Sequence, residues 1–415
     1  MVYYDSANCI KKSRNGQIAP NARITHFIRA FVAAYFYTQL FKMYIQRRFF
    51  QKMASNHKSL KPTLMHFRKL GVVSVLFLLL IVFQYCSKKD ATPVADTTTD
   101  PQPSLPATPY NYLQVYPAYL QTAMALNNNT PANNQLTNDG ATLGRVLFYD
   151  KHLSKNNTIS CGSCHKPATS FTDNVQFSKG FEGGFTTRTS MPLLNVSFYK
   201  SGKMFWDERS ATLEDQVLQP IQNHVEMGLT VAELVSKVSA LSYYPSLFTK
   251  AFGSTAIDST KISKALAQFV RSIIPYQSKY DLVKQNLASF TPAEQAGEQL
   301  FLNATPPPPA PPATCAGCHT PPLFITSQPT AAFGLADAND LGINNTGTFK
   351  VGSLRNIAIT APYFHNGSVA SLQALLTSNI PAHRVAPQDV QNIQAFLQTL
   401  TDQTTVAEAR FSDPF

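Results

Sequence analysis

Two short stretches, Cys161-Gly162-Ser163-Cys164-His165 and Cys315-Ala316-Gly317-Cys318-His319, place two thiols three residues apart with a histidine directly behind the second. This is the attachment signature of c-type haem: the thiols add across two vinyl groups, and the adjacent imidazole reaches the iron from the same turn. A zinc site or a redox disulfide would also use Cys-x-x-Cys. Neither explains why both copies carry the histidine. His165 and His319 are therefore the expected proximal ligands, with Cys161, Cys164, Cys315 and Cys318 as the attachment thiols. What occupies the far side of each iron separates an electron carrier from an enzyme, because a substrate needs an open position. The two other cysteines, Cys9 and Cys86, stand apart from these pairs.

The elements that must position these residues repeat as well. Gly144-Arg145-Val146-Leu147-Phe148 precedes the first motif, and Gly297-Glu298-Gln299-Leu300-Phe301 precedes the second at nearly the same separation. Thr291-Pro292-Ala293-Glu294 supplies an N-cap, a proline at the first helical position and an acid in the first turn. Apolar residues at three-and-four spacing predict helices over 212–219, 230–238, 261–274 and 387–400. No run of alternating strands occurs. The expected fold is mainly α, with two cytochrome c-like domains over 110–288 and 289–415, each carrying one covalent haem. Pro306 to Pro312 interrupts the second copy and reads as a stiff surface excursion of polyproline type.

The net charge of +11 is concentrated near the N-terminus. About 15 of the 35 Lys and Arg precede Asp90, against the single acid Asp5, which leaves the remainder slightly acidic. A nucleic-acid partner is not expected. From Met65, basic residues followed by the apolar run 72–83 read as an export signal, too short for the ~20 residues of a membrane span. Cys86 with Ser87-Lys88-Lys89 behind it resembles a lipoprotein processing site, although Tyr85 stands where such sites want a small residue. A retained membrane helix or cleavage further on are the alternatives. Residues 1–64 read as a start assigned too far upstream, the rival being a genuine basic, aromatic extension. Residues 87–109 are expected to be a solvated tether. Together these features place the protein in the periplasm, with the membrane reached only through a leader or lipid anchor.

The spacing of the haem motifs, with Phe205-Trp206-Asp207-Glu208-Arg209, Thr212-Leu213-Glu214-Asp215-Gln216, Val225-Glu226-Met227-Gly228 and the stretch from Leu354 to Gly367, resembles the bacterial dihaem cytochrome c peroxidases from about Leu136 to the C-terminus. The resemblance implies that hydrogen peroxide reacts at the N-terminal haem and that electrons reach the C-terminal haem from a small cytochrome c or copper protein. It places a catalytic glutamate at Glu226, a distal glutamine at Gln216 and a tryptophan between the haems at Trp206. Chemistry supports Glu226 separately, since peroxide cleavage needs a base to take one proton and an acid to return it, and one carboxylate can do both. The plainer reading of Glu226 is a surface carboxylate in a turn, of Trp206 a buried aromatic, and of Gln216 a polar helix face. The resemblance also implies calcium between the domains, at carbonyls of Thr360 and Pro362 and at Thr189, where the family usually has asparagine. A homodimer is the assembly expected.

Two positions depart from the family pattern. Where some members carry a removable histidine on the N-terminal iron, this chain has Phe181, which cannot bind iron; apart from His165, the nearest histidines in sequence are His152 and His224. No methionine follows His319, and the position expected for the sixth ligand falls near Asn379, which makes His383 a candidate ligand or else a surface histidine. Relatives resembling the methylamine dehydrogenase maturation enzyme, which use peroxide to oxidise a partner protein, also lack the removable histidine. The alternatives to a peroxidase are thus such a maturation-type enzyme and a plain dihaem electron carrier.

Overall fold

The computed structural model describes residues 101–304, 314–326, 339–380 and 383–415, all within one compact unit, Thr98–Phe415. The leader, the signal segment, Cys86, most of the tether and the proline run lie outside the described residues. Helices alternate with irregular chain, and only isolated β-bridges occur among the described residues, so the fold is mainly helical as expected. No helix among them is long and apolar enough to cross a membrane.

Helix α1 (Ala118–Asn127) leads into α2 (Asn138–Tyr149), whose N-cap Thr137 accepts a hydrogen bond from Gly140 N and whose residues from Gly140 onward are all buried. The one-turn α3 (Cys161–Cys164) carries the first motif. The predicted helix over 212–219 is instead two turns, α4 (Leu213–Gln216) and α5 (Gln219–Gln222). Pro220 is the reason: its ring would collide with the carbonyl of Gln216, four residues back, in a continuous helix. A capping box between Thr230 and Glu233 opens α6 (Val231–Ala240), followed by α7 (Tyr244–Phe252) and α8 (Ser259–Arg271), the last capped by Asp258. After α9 (Lys279–Lys284), the second half comprises α10 (Pro292–Asn303), α11 (Cys315–Cys318), α12 (Leu372–Leu376), α13 (Val390–Gln398) and α14 (Gln403–Val406). Thr291 and Glu294 form the capping box read from the sequence.

The repeated Gly-x-x-Leu-Phe motif is explained by two equivalent helix crossings. In α2, a Cβ on Gly144 would lie 2.0 Å from the Ala265 carbonyl oxygen of α8; in α10, one on Gly297 would lie 1.9 Å from the Asn392 carbonyl oxygen of α13. The aromatic cores repeat with them. Phe148 packs on Phe269 at 5.1 Å and on Phe171 at 6.2 Å, while Phe301 packs on Phe396 at 5.3 Å and on Phe324 at 5.7 Å. Each set joins the Gly-x-x-Leu-Phe helix, a phenylalanine five or six residues past the haem histidine, and the helix that the first one crosses.

The chain does not divide cleanly at residue 288. Phe411, fully buried, packs against Phe171 and Phe269 in the first core. The Tyr112 and Tyr149 hydroxyls and the Arg145 guanidinium donate to carbonyls of Arg410, Phe411 and Ala409. The described end of the expected tether is also pinned, by a hydrogen bond from Ser104 N to the Pro414 carbonyl (2.7 Å) and by Leu105 against the core. One backbone hydrogen bond and one leucine in an otherwise polar stretch leave no compositional trace.

Replacing an exposed helical glycine with alanine ordinarily stabilises by about 1 kcal/mol. Here the facing backbone cannot retreat as a side chain would, and overpacking costs about 1–3 kcal/mol. Gly144→Ala and Gly297→Ala should therefore each lower the thermal midpoint; a rise in calorimetry would show that the helices do not cross this closely.

Candidate functional site

Ser160 caps α3 and forms a capping box with Ser163, which holds Cys161 and Cys164 on one short turn and leaves His165 at its C-cap. His165 Nδ1 lies 2.7 Å from the Phe171 carbonyl. A carbonyl only accepts, so Nδ1 carries the proton and Nε2 is left as the free ligand atom. A metal-binding histidine is oriented in the same way. In the second copy Thr314 caps α11, and the Phe324 and Gly352 carbonyls lie near the buried His319, whose Nδ1 makes no hydrogen bond to a described residue. Burial, then the neighbouring His383, pushes the His319 imidazole down to about 3, so it stays neutral and able to ligate.

Neither alternative to haem finds a geometry here. All four motif cysteines are free thiols, and among the described residues no three His, Cys, Asp or Glu side chains converge on a metal position. Burial pushes the thiols of Cys161 and Cys315 up to about 12 and about 11, so both are uncharged in these cavities. Uncharged thiols in apolar cavities beside an oriented imidazole suit covalent haem.

Cys161, Cys164 and His165 line a cavity of about 80 Å³ together with Gln216, Glu226 and Met227. Gln216 closes α4. Glu226 sits in the turn between α5 and α6, where the Asn223 side chain accepts from the amides of Val225 and Glu226 and the Asn223 carbonyl accepts from Met227 and Gly228. Gly228, at φ +73°, completes the turn. Burial raises the Glu226 carboxyl above its usual range, and Arg209 offsets part of the effect. Phe181 does not line this cavity. Its amide donates to the Glu226 carbonyl (3.0 Å) and its ring covers Gly228, so it buttresses the glutamate turn. His152 is held by Asp150 at 2.7 Å, and His224 is exposed.

The second cavity, of about 280 Å³, is lined by Cys315, Cys318, His319 and His383 and by Trp206 from the first half. Asn379 is exposed. Trp206 is thus apart from Gln216 and Glu226, on a wall shared between the halves: its Nε1 donates to the Thr189 carbonyl (2.9 Å) and its carbonyl accepts from Lys350 N (2.8 Å). Thr189 N in turn donates to the His365 carbonyl at 2.7 Å. Arg188 pairs with Asp207 (2.7 Å) and Asp340 (2.6 Å); although burial pushes both carboxyls up, the guanidinium holds them below their usual range.

Thr189, Thr360 and Pro362 share this second cavity's wall. The Thr189 hydroxyl donates to the Gln176 carbonyl, and the carboxylates beside it, Asp207 and Asp340, are paired with Arg188. The oxygens that Thr360 and Pro362 offer are neutral carbonyls, a donor type that calcium accepts.

The repeat runs further than the sequence motifs suggested. Asn195 (φ +59°) and Asn356 (φ +61°) each open a short 3₁₀ turn, Phe205 (φ +69°) and Phe364 (φ +68°) each sit in a loop closed by one β-bridge, and Thr212 and Ser371 cap α4 and α12. Trp206 and His365 are therefore counterparts. The signal was present in Leu194-Asn195-Val196 and Arg355-Asn356-Ile357, but too short to register without the backbone.

Residues 138–288 match the di-haem cytochrome c peroxidase family, and residues 351–385 match a RoxA-like, cytochrome c-like family. The chain is 33% identical over 283 residues to the cytochrome c551 peroxidase of Nitrosomonas europaea, covering 63% of this chain and 80% of that one. It is 31% identical over 256 residues to the methylamine utilization protein MauG of Methylophilus methylotrophus, covering 59% and 73%. A solved MauG-like protein associated with microbial copper homeostasis superposes with a TM-score of 0.64 at 30% identity, over 74% of this chain and 99% of the other.

Covalent attachment at both motifs predicts an intact mass greater than the processed chain by two haems, with haem stain retained after denaturation. Replacing Cys161 and Cys164 together should remove one haem only. A mass equal to the bare chain would refute attachment.

Proposed function

This chain belongs to the di-haem cytochrome c peroxidase and MauG family, and we propose that it reduces hydrogen peroxide to water with electrons from a small redox protein. The observation that carries the proposal is that Glu226 and Gln216 share the cavity of His165. A pure electron carrier has no use for that pair. In this reading 110–288 is the peroxidatic half, 289–415 receives electrons, and each half holds one covalent haem. When bound, haem supplies the redox-active iron at which peroxide is activated and reduced.

The protein's part is to orient peroxide and carry its proton. The Glu226 carboxylate accepts the proton from one peroxide oxygen and, now an acid, returns it to the departing oxygen as water forms. Its raised pKa fits the double role, because a group titrating nearer neutral pH gives and takes a proton with similar ease. The Gln216 amide is placed to donate to peroxide without titrating. The Asn223 turn and Phe181 keep Glu226 from swinging away. Trp206, fixed by Thr189 and Lys350 between the halves, is the proposed electron relay. No step uses calcium. Export to the periplasm through the 65–86 segment, with Cys86 as a lipid anchor, belongs to the same reading.

A second reading, oxidation of residues on a partner protein, is favoured by Phe181, which leaves no removable histidine, and by the MauG relatives at similar identity. Steady turnover of peroxide with a reduced small cytochrome supports the peroxidase; a single peroxide equivalent consumed, without turnover until a partner protein is added, supports the other.

Glu226→Gln should keep both haems and lose about 10²–10⁴-fold in turnover. The base must be ionised to act, so wild-type activity should rise with pH through the raised Glu226 pKa, and that limb should vanish in the variant. Near-normal turnover would return Glu226 to a structural turn residue.

With Phe181 at the switching position, the fully oxidised protein should consume peroxide without prior reduction. Stopped-flow mixing tests this; a response that appears only after one-electron reduction would show that another residue closes the site.

A further inference from the structure

His383 lines the cavity of His319, close enough that a charge on either imidazole would repel the other. Its Nδ1 is fully buried without a hydrogen-bond partner among the described residues. An orphaned polar atom of this kind costs about 1–3 kcal/mol unless something else satisfies the group. The edge-on Phe364 ring, 5.2 Å away, holds the imidazole in place. A surface histidine would show none of this.

Of the other groups around the cavity that could ligate, Tyr363, Lys350 and His365 are engaged, and the Met191 thioether on the same wall comes from the first half. The Tyr363 hydroxyl donates to the Ile357 carbonyl (2.7 Å), and Lys350 Nζ donates to the Lys203 carbonyl (2.9 Å). His365 lies flat on Phe349 at 3.8 Å with Nε2 facing Asp340. No methionine follows His319. The repeat adds an independent placement: the chain leaving α4 brings Glu226 to the first cavity, and the chain leaving the equivalent α12 brings His383 to the second.

Resting on the dihaem reading above, we infer that His383 is the second axial ligand of the C-terminal haem, which makes that haem a bis-histidine, electron-only centre fed by a low-potential carrier. Methionine opposite histidine raises the potential of a c-type haem; a second imidazole withholds that rise. The partner is then a reductant of lower potential than a His/Met cytochrome c. Occupation of the sixth position also bars peroxide from this haem, leaving the Glu226 cavity as its place of reaction.

The test uses the holoprotein and needs no peroxide. His383→Ala should convert one of the two haems from low to high spin, and added imidazole should restore the low-spin signal. His383→Met should stay low-spin while the midpoint potential of that haem rises in a redox titration. A His383→Ala protein with unchanged spin states and potentials overturns the assignment, whether or not the variant turns over peroxide. If wild-type protein fails to turn over peroxide yet His383→Ala still opens one haem, the ligand assignment stands and the peroxidase reading fails.

Discussion

The Phe171 carbonyl that holds His165 Nδ1 is fixed by the core. Phe171 sits at φ +58°, a conformation unfavourable for an aromatic residue, and it is retained because the fully buried ring is wedged between Phe148 and Phe411. One residue therefore couples the motif helix, the C-terminal tail and the orientation of the ligand histidine. Phe324, at φ +52° and packed on Phe301 and Phe396, is its counterpart in the second core, with its carbonyl near His319. The glycine crossings bring these rings together, and the haem motifs present their imidazoles to the cavities because the rings cannot turn.

On this duplicated frame the two cavities differ in the side chains presented to them. Where the first presents Glu226 to its cavity, the second presents His383; where the first has Trp206 between the halves, the second has His365. A carboxylate raised by burial handles protons, whereas a neutral buried imidazole donates a lone pair. The junction is polar and shared: Thr189 is bonded to both Trp206 and His365, and Arg188 ties Asp207 to Asp340 across it. Such a junction fixes the distance between the cavities more firmly than apolar contact would, because each bond has a defined geometry.

The haem motifs, the helical character and the Leu-Phe repeat were legible because each is a local pattern: a fixed spacing, an apolar period or a cap. The positions of Gln216 and Glu226 in the first cavity were signalled through resemblance, since nothing in their immediate sequence tells a cavity side chain from one in a surface turn. Phe411 and the pinned segment at Ser104 and Leu105 were not legible, because a tail that packs into the opposite half carries no periodicity of its own. The role of Phe181 as a buttress needed the backbone too: the sequence says only that it cannot bind iron, and the hydrogen bond to the Glu226 carbonyl comes from the fold. The helix broken at Pro220 follows a local steric rule that the apolar period obscured.

An open first cavity and a closed second one are the centre of the account, and both are read by a single electron paramagnetic resonance spectrum of the fully oxidised wild-type protein. The account predicts one high-spin ferric haem and one low-spin ferric haem in equal amounts. Two low-spin haems would contradict the open site beside Glu226, and two high-spin haems would contradict the closed site at His383.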